Sequence, residues 1–142
     1  MDAWNPDQYE RFAAERSQPF WDLLDLVVPA PDLRVLDLGC GTGQLTRALH
    51  DRLRAATTLG VDRSPAMLAK AQTHATAGLG FAQGDIDDFA EDARYDLVFS
   101  NAALHWVPDH RALLARLARA LDAGGQLAVQ VPANHEHPSH TI

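Results

Sequence analysis

Residues 35–46 read VLDLGCGTGQLT, an apolar run that breaks into glycines at alternate positions, Gly39, Gly41 and Gly43, and then resumes apolar residues at helical spacing. A strand that passes into a helix through such a loop is half of a β-α-β unit, and successive units build a parallel sheet through right-handed crossovers. The rest of the chain keeps that alternation. Strands are expected over Leu33–Leu38, Thr57–Val61 with Asp62 at its end, Phe81–Gln83, Tyr95–Ser100 and Gln126–Val131, the last ended by Pro132. Between them, Gln44–Arg54 presents Leu45, Ala48, Leu49 and Leu53 on one face, and Ser64-Pro65 caps a helix reaching about Thr76. Asp109 caps a helix that turns Leu113, Leu114, Leu117 and Leu121 toward a core and stops at Gly124-Gly125. Residues 6–28 read as an interrupted helix, with Tyr9, Phe12 and Ala13 on one face, Ser17 as an internal cap, and Phe20, Leu23, Leu24 and Val27 beyond it. The expected fold is α/β, an open, mostly parallel five-stranded sheet with helices on both faces.

With 142 residues, 46% of them hydrophobic, the chain suffices for one domain with one substantial core. A formal net charge of −7 argues against nucleic acid or an anionic membrane as partner. Cys40 is the single cysteine, so no internal disulfide is available, and no apolar run is long enough to span a bilayer or serve as a signal segment. A soluble, cytoplasmic protein is the expectation. Residues 132–142 lack apolar periodicity and read as a tail or a truncated end. Their His135, His137 and His140 are better explained as solvated than as a metal site, and no metal is expected.

The glycine loop narrows the ligand. A dinucleotide fingerprint, Gly-x-Gly-x-x-Gly, would need a third glycine where Gln44 stands. Asp37 would also face a pyrophosphate, and like charges ~4 Å apart repel by roughly 4 kcal/mol at an effective dielectric of about 20. The same acid attracts a cation, or else simply bonds nearby backbone N–H groups. Asp62 ends the second strand, where an acid accepts ribose hydroxyls or caps the strand. Asp85, after the third strand, suits an adenine amino group or an ordinary turn. Of Met67 and Leu68, one can lie against a base while the other enters the core, although helical spacing alone suits core for both. Three acids at three successive strand ends, without the basic residues a phosphate requires, together describe a cationic nucleoside without phosphate. A nicotinamide-dependent reductase is the competing reading and lacks the glycine spacing.

The segments VLDLGCGTG, GVDRSPAML, GDI and LVFSNAALHWVPD resemble those of class I S-adenosylmethionine-dependent methyltransferases. The resemblance covers nearly all of the chain. WNPDQYERFAAERSQPFWDLL and NAALHWVPDH are similar to the branch that methylates small carboxylic acids, trans-aconitate among them. It implies a Rossmann-like fold and a single domain over 1–142, with N-terminal lid helices at 1–28 and a cofactor-binding core at 33–131. It also implies S-adenosylmethionine as cofactor, S-adenosylhomocysteine as product, and Asp37, Gly39, Cys40, Gly41, Asp62, Arg63, Met67, Asp85, Ile86 and Asn101 as the contact set. Within that set Asp37 serves the methionine amino group, the loop backbone the methionine portion, Asp62 the ribose, Met67 packs on the adenine and Ile86 borders it, Asp85 serves the adenine amino group, and Asn101 the methionine amino group through its backbone carbonyl. Trp4, Tyr9 and Arg16 belong to a segment resembling a lid, with packing as the alternative role for the aromatics. Arg16, His105 and Trp106 are candidates for the acceptor pocket, and His105 equally suits a structural cap.

A carboxylate acceptor needs no general base, so the sequence singles out no catalytic group. Asn101 is followed by Ala102-Ala103-Leu104 rather than the Pro-Pro-aromatic signature of adenine and glutamine methylation, which again disfavours nucleic acid. The family's usual C-terminal strand pair is missing after the fifth strand. An open sheet edge invites a homo-oligomer that covers it, and the alternative functional reading is a shortened, inactive chain that binds cofactor without turnover.

Overall fold

In the computed structural model the described residues are 18–86, 94–101 and 110–130. Helix α1, described over 18–25, precedes strand β1 (Arg34–Leu38), helix α2 (Gln44–Leu53), strand β2 (Thr57–Asp62), helix α3 (Pro65–Ala71) with a short 3-10 turn (Gln72–His74), strand β3 (Leu79–Gln83), strand β4 (Tyr95–Asn101), helix α4 (His110–Ala120) and strand β5 (Leu121–Gln130). The strands form one sheet in the order β3-β2-β1-β4-β5, and every neighbouring pair is parallel. The chain winds outward from β1 to β3 and then returns to β4 on β1's other side. Connections therefore diverge between the carboxyl ends of β1 and β4, the position at which open α/β sheets bind ligands.

Alternation along β1 divides the core. Leu36 and Leu38 join Val61, Val98 and, from α4, Leu113, Leu117 and Ala120 on one face. Val35 joins Leu97, Phe99, Leu49 of α2 and Phe20, Leu23 and Leu24 of α1 on the other. Burying each such side chain contributes about 1.5–3 kcal/mol, which is why both faces must be covered. The Phe20 ring meets Phe99 edge-on, centroids 5.1 Å apart, seating α1 on β4. Gln126 of β5 holds the segment after α1, its amide accepting from Val28 N–H and donating to Val28 C=O, both at 2.8 Å.

The sheet's amino-terminal end is tied by one guanidinium. Arg34 donates to both Asp96 oxygens at 3.0 Å and to Asp122 at 2.7 Å, joining β1, β4 and β5. Its backbone N–H also donates to Asp96 at 2.9 Å. The Arg34 hydrogen bonds hold both carboxyls below the usual carboxylate range.

Several boundaries differ from the sequence reading. The fifth strand starts at Leu121 rather than Gln126. Leu121 pairs with Tyr95 and Gln126 with Leu97, so residues 122–125 stand opposite Asp96 alone, an insertion turned by Gly124 at φ 79. The glycines thus mark an interruption inside a strand, not the helix stop. The helix after Ser64 ends at Ala71 instead of near Thr76, because Thr73 Oγ1 donates to Lys70 C=O at 2.8 Å and the chain tightens into the 3-10 turn. β3 begins at Leu79, two residues before the expected Phe81. Leu114 is 38% exposed, since Leu113, Leu117 and Ala120 define the inward stripe of α4. The expected caps Ser17 and Asp109 lie outside the described residues.

Candidate functional site

Strands β2, β3 and β4 end in the polar residues Asp62, Gln83 and Asn101, and at the same end of the sheet the glycine loop leads from β1 into α2. Gly39 and Cys40 donate their N–H groups to Val61 C=O at 2.7 and 3.0 Å, and Gly43 donates to Cys40 C=O at 3.1 Å. Gly41 N–H donates to Asp62 Oδ2 at 2.9 Å. The loop is thus fastened to the end of β2 by its own donors. A pyrophosphate cradle needs such N–H groups free and aimed at the anion, whereas these four are spent within the protein.

Two glycines have separate reasons. Gly43, the N-cap of α2 at φ 81, is packed so closely that a Cβ would lie 2.9 Å from Ala71 Cβ and 3.0 Å from Phe81 Cζ. Gly41, at φ 58, has open space where a Cβ would stand, so the loop's backbone is approachable there. Phe81 also fills the site of a side chain at Gly60, whose Cβ would fall 2.7 Å from the ring. That one ring supports both β2 and the base of the loop.

Asp62 does more than close a strand. Its second oxygen accepts from Ser64 N–H at 2.9 Å, while Ser64 Oγ accepts from Met67 N–H at 3.2 Å and caps α3. Each Asp62 oxygen retains acceptor capacity beyond its one backbone bond. In α3 the ambiguity between neighbours is resolved: Leu68 is buried and Met67 is 42% exposed. Gly84 N–H donates to Asp62 C=O at 3.1 Å, and Gln83 Nε2 to Arg63 C=O at 3.2 Å, which ties the end of β3 to that of β2. Beyond β3, Asp85 is exposed and Ile86 is buried in the α4-side core, its carbonyl accepting from Arg116 at 3.3 Å. Arg63 is exposed.

Asp37 is 4% exposed and sits opposite Phe99, on the α1/α2 face of β1. Its partner is a hydroxyl rather than loop backbone: Thr46 Oγ1, itself fully buried in the first turn of α2, donates to Oδ2 at 2.7 Å. Desolvation pushes the Asp37 carboxyl up to about 7, with the Thr46 hydrogen bond pulling down and the Asp62 charge adding to the rise. Burial also pushes the neighbouring Cys40 thiol up to about 12, with the charges of Asp37 and Asp62 adding to it, so this cysteine is a neutral packing group at physiological pH. At the end of β4, on the same face as Asp37 and Phe99, the Asn101 Oδ1 is buried without a hydrogen-bond partner. Ser100 Oγ beside it donates to Leu38 C=O at 3.0 Å, locking β4 to β1 where the loop departs.

The structure therefore brings Asp37, Gly39, Cys40, Gly41, Asp62, Arg63 and Met67 to one end of the sheet, with Asp85, Ile86 and Asn101 at the flanking strand ends. Arg16, His105, Trp106, Trp4, Tyr9 and the tail histidines lie outside the described residues. The sequence reading passed over Thr46, Ser100 and Phe81. Thr46 is recoverable in hindsight, three residues before the inward Leu49 on the same helical face, but nothing in the sequence shows that a hydroxyl there meets Asp37. Among the described residues there is no group of three or more metal-ligating side chains, and no helix is long and apolar enough to cross a membrane.

The arrangement offers acceptors and open backbone to a ligand that carries a cation and hydroxyls. Comparison with known proteins agrees with that chemistry. A family model described as methyltransferase domain matches residues 35–125. Among curated proteins, the trans-aconitate 2-methyltransferase of Deinococcus radiodurans is 53% identical over 139 residues, 98% of this chain and 53% of that protein. That of Methylobacterium nodulans is 47% identical over 142 residues, all of this chain and 55% of that protein. The chain spans about half the length of the curated relatives it matches. Among solved structures, an S-adenosylmethionine dependent methyltransferase from Mesorhizobium loti superposes with a TM-score of 0.71 at 32% identity, covering 78% of this chain and 51% of that one. A complex of DhpI with SAH gives 0.69 at 30% identity, covering 92% of this chain and 65% of that one.

Proposed function

The chain belongs to the methyltransferase domain family, and from that premise we propose that its sheet end binds S-adenosylmethionine for methyl transfer to a small carboxylic acid. The observation that carries the reading is the buried, unpartnered Oδ1 of Asn101 on the same face as Asp37. An ammonium group supplies the donor that this oxygen lacks, and an orphaned buried acceptor costs about 1–3 kcal/mol until it finds one. The uncapped first turn of α2 offers N–H donors to the carboxylate of the same amino acid. Asp62 takes the ribose hydroxyls on its remaining lone pairs. Met67 covers one adenine face, Ile86 borders the ring, Asp85 accepts from its amino group, and Gly39, Cys40, Gly41 and Arg63 line the remainder.

When bound, the sulfonium supplies an activated methyl group. A carboxylate acceptor is already nucleophilic at neutral pH, so the protein's task is alignment and exclusion of water rather than proton removal. The curated relatives named for trans-aconitate support an acceptor of that class, with Arg16, His105 and Trp106 as the residues proposed to receive it in the cytoplasm.

Calorimetric titration with S-adenosylhomocysteine, followed by a methyl-transfer assay on trans-aconitate and related small acids, tests both halves. Saturable 1:1 binding with ester formation is expected. Absence of binding overturns the cofactor assignment, and binding without turnover overturns the acceptor assignment while leaving the first.

A further inference from the structure

Resting on that reading of the site, we propose that Thr46 is a positioning residue whose buried hydroxyl, by its hydrogen bond to Asp37 at the root of the glycine loop, favours the charged form of that carboxyl, so that affinity for the cofactor's ammonium end depends on pH. Thr46 is not among the residues the family resemblance supplies. Three observations converge on it. Its side chain is fully buried, and a buried hydroxyl in a helix more often returns its proton to a carbonyl of its own helix; here it donates across to β1 at 2.7 Å. That bond is the one side-chain hydrogen bond Asp37 makes among the described residues, so nothing else there offsets the loss of hydration of a 4% exposed carboxylate. The third is position: Thr46 lies in the first turn of the helix that the loop opens, so the bond fixes the acid and the loop to each other.

The groups around Asp37 make its charge sensitive to that one bond. From β2 the Asp62 carboxylate opposes ionisation, and from the loop the Cys40 thiol is neutral. From β4 the facing residue is Phe99, and from the paired position of β2 it is Gly60, neither of them titratable. On α2, Arg47 is occupied by Asp51 at 3.0 Å and His50 by Thr58 at 2.7 Å, and on α1 Asp22 and Asp25 are exposed. No described cation faces the acid. Burial pushes the carboxyl up to about 7 and the Asp62 charge adds to the rise, with the Thr46 hydrogen bond the one cause that lowers it. An ammonium arriving beside it favours the charged form, so binding expels a proton from the fraction of molecules that hold one.

Calorimetry of S-adenosylhomocysteine binding between pH 5.5 and 8.5, in pairs of buffers with different ionisation enthalpies, reads that proton directly. The wild type is expected to release a fraction of a proton below pH 7 and progressively less above it, with affinity rising over the same range. Thr46→Val keeps shape and removes the hydroxyl. Its affinity at pH 7 is expected to fall on the order of tenfold, the ratio that loss of one hydrogen bond to a charged group corresponds to. Its proton release should extend to higher pH, and Thr46→Ser should restore the wild-type profile. Carbon NMR titration of the Asp37 carboxyl in ligand-free protein supplies a reading independent of binding: an inflection near neutrality that moves up in the valine variant and returns in the serine variant. Unchanged proton release and an unchanged carboxyl inflection in Thr46→Val overturn the inference. Failure of the wild type to bind at all overturns the cofactor reading instead, and the ligand-free titration still decides the role of Thr46.

Discussion

Asp62 and Gly41 are joined across the sheet end: the carboxylate that closes β2 accepts the backbone N–H of the middle loop glycine at 2.9 Å. The residue proposed to hold the ribose is therefore also the clasp of the loop proposed to hold the amino acid.

That double duty predicts a compound defect. Asp62→Ala removes the acceptors of both Gly41 and Ser64 along with those for the ribose. At about 1.5–3 kcal/mol for each hydrogen bond to a charged group, affinity for S-adenosylhomocysteine should drop at least a hundredfold. Asp62→Asn should fall between wild type and alanine, because its amide presents an N–H to one of the two backbone donors. Calorimetry on the three proteins orders them, and an asparagine variant equal to wild type would refute the clasp.

Gly60 and Phe81 predict a packing coupling. A Cβ at residue 60 would stand 2.7 Å from the Phe81 ring and 3.0 Å from Cys40 Cβ. Gly60→Ala should cost about 1–3 kcal/mol of stability. Phe81→Leu in the same chain should recover part of that cost, because the smaller side chain yields the space. A double-mutant cycle in urea gives the coupling, and strict additivity would mean that the ring is not what the new methyl meets.

Asn101 predicts a separation of stability from binding. Its Oδ1 has no partner to lose and its removal relieves an unpaired buried acceptor, so Asn101→Ala should leave ligand-free stability unchanged or raise it by up to about 1–3 kcal/mol. The same change should weaken S-adenosylhomocysteine by about tenfold. Thermal unfolding with and without the ligand measures both, and an equal loss in the two conditions would make the side chain structural.

Asp37 predicts an inverted pH dependence of folding. Its carboxyl titrates near 7 in the native chain against an ordinary value of 3.8, so the folded state binds the extra proton across that interval. The stability this proton brings is complete below about pH 4 and is lost as pH rises through 7. Ligand-free protein should therefore lose roughly 2–3 kcal/mol from this group between pH 5 and pH 7. Asp37→Asn should flatten that part of the profile, as followed by urea unfolding at a series of pH values.

Where residues repeat with the period of an element, the sequence already contained the fold. Leu36 and Leu38 alternate with Val35 and Asp37, and Phe20, Leu23, Leu24 and Val27 keep helical spacing. These residues enter opposite cores as their periods require. The strand-end acids were legible because position along a parallel sheet dictates which end meets ligand. What escaped were contacts between residues far apart in sequence. Gly124-Gly125 carries the same local signal whether it ends a helix or turns a strand insertion, and only pairing of Leu121 with Tyr95 decides. Asp37 read as a charged acid at the end of the first strand, yet its environment is set by Thr46, Phe99 and the depth of β1, none of which a local pattern reports.

Arg34 gathers β1, β4 and β5 at the sheet end remote from the glycine loop. Rigidity and recognition are consequently housed at opposite poles of the same strands. A designer could alter the loop and the strand ends around it without disturbing the knot of charges that keeps the strands in register. By the same separation, damage to the knot should show first in the stability of the sheet, whereas damage near the loop should show first in the affinity for the proposed ligand.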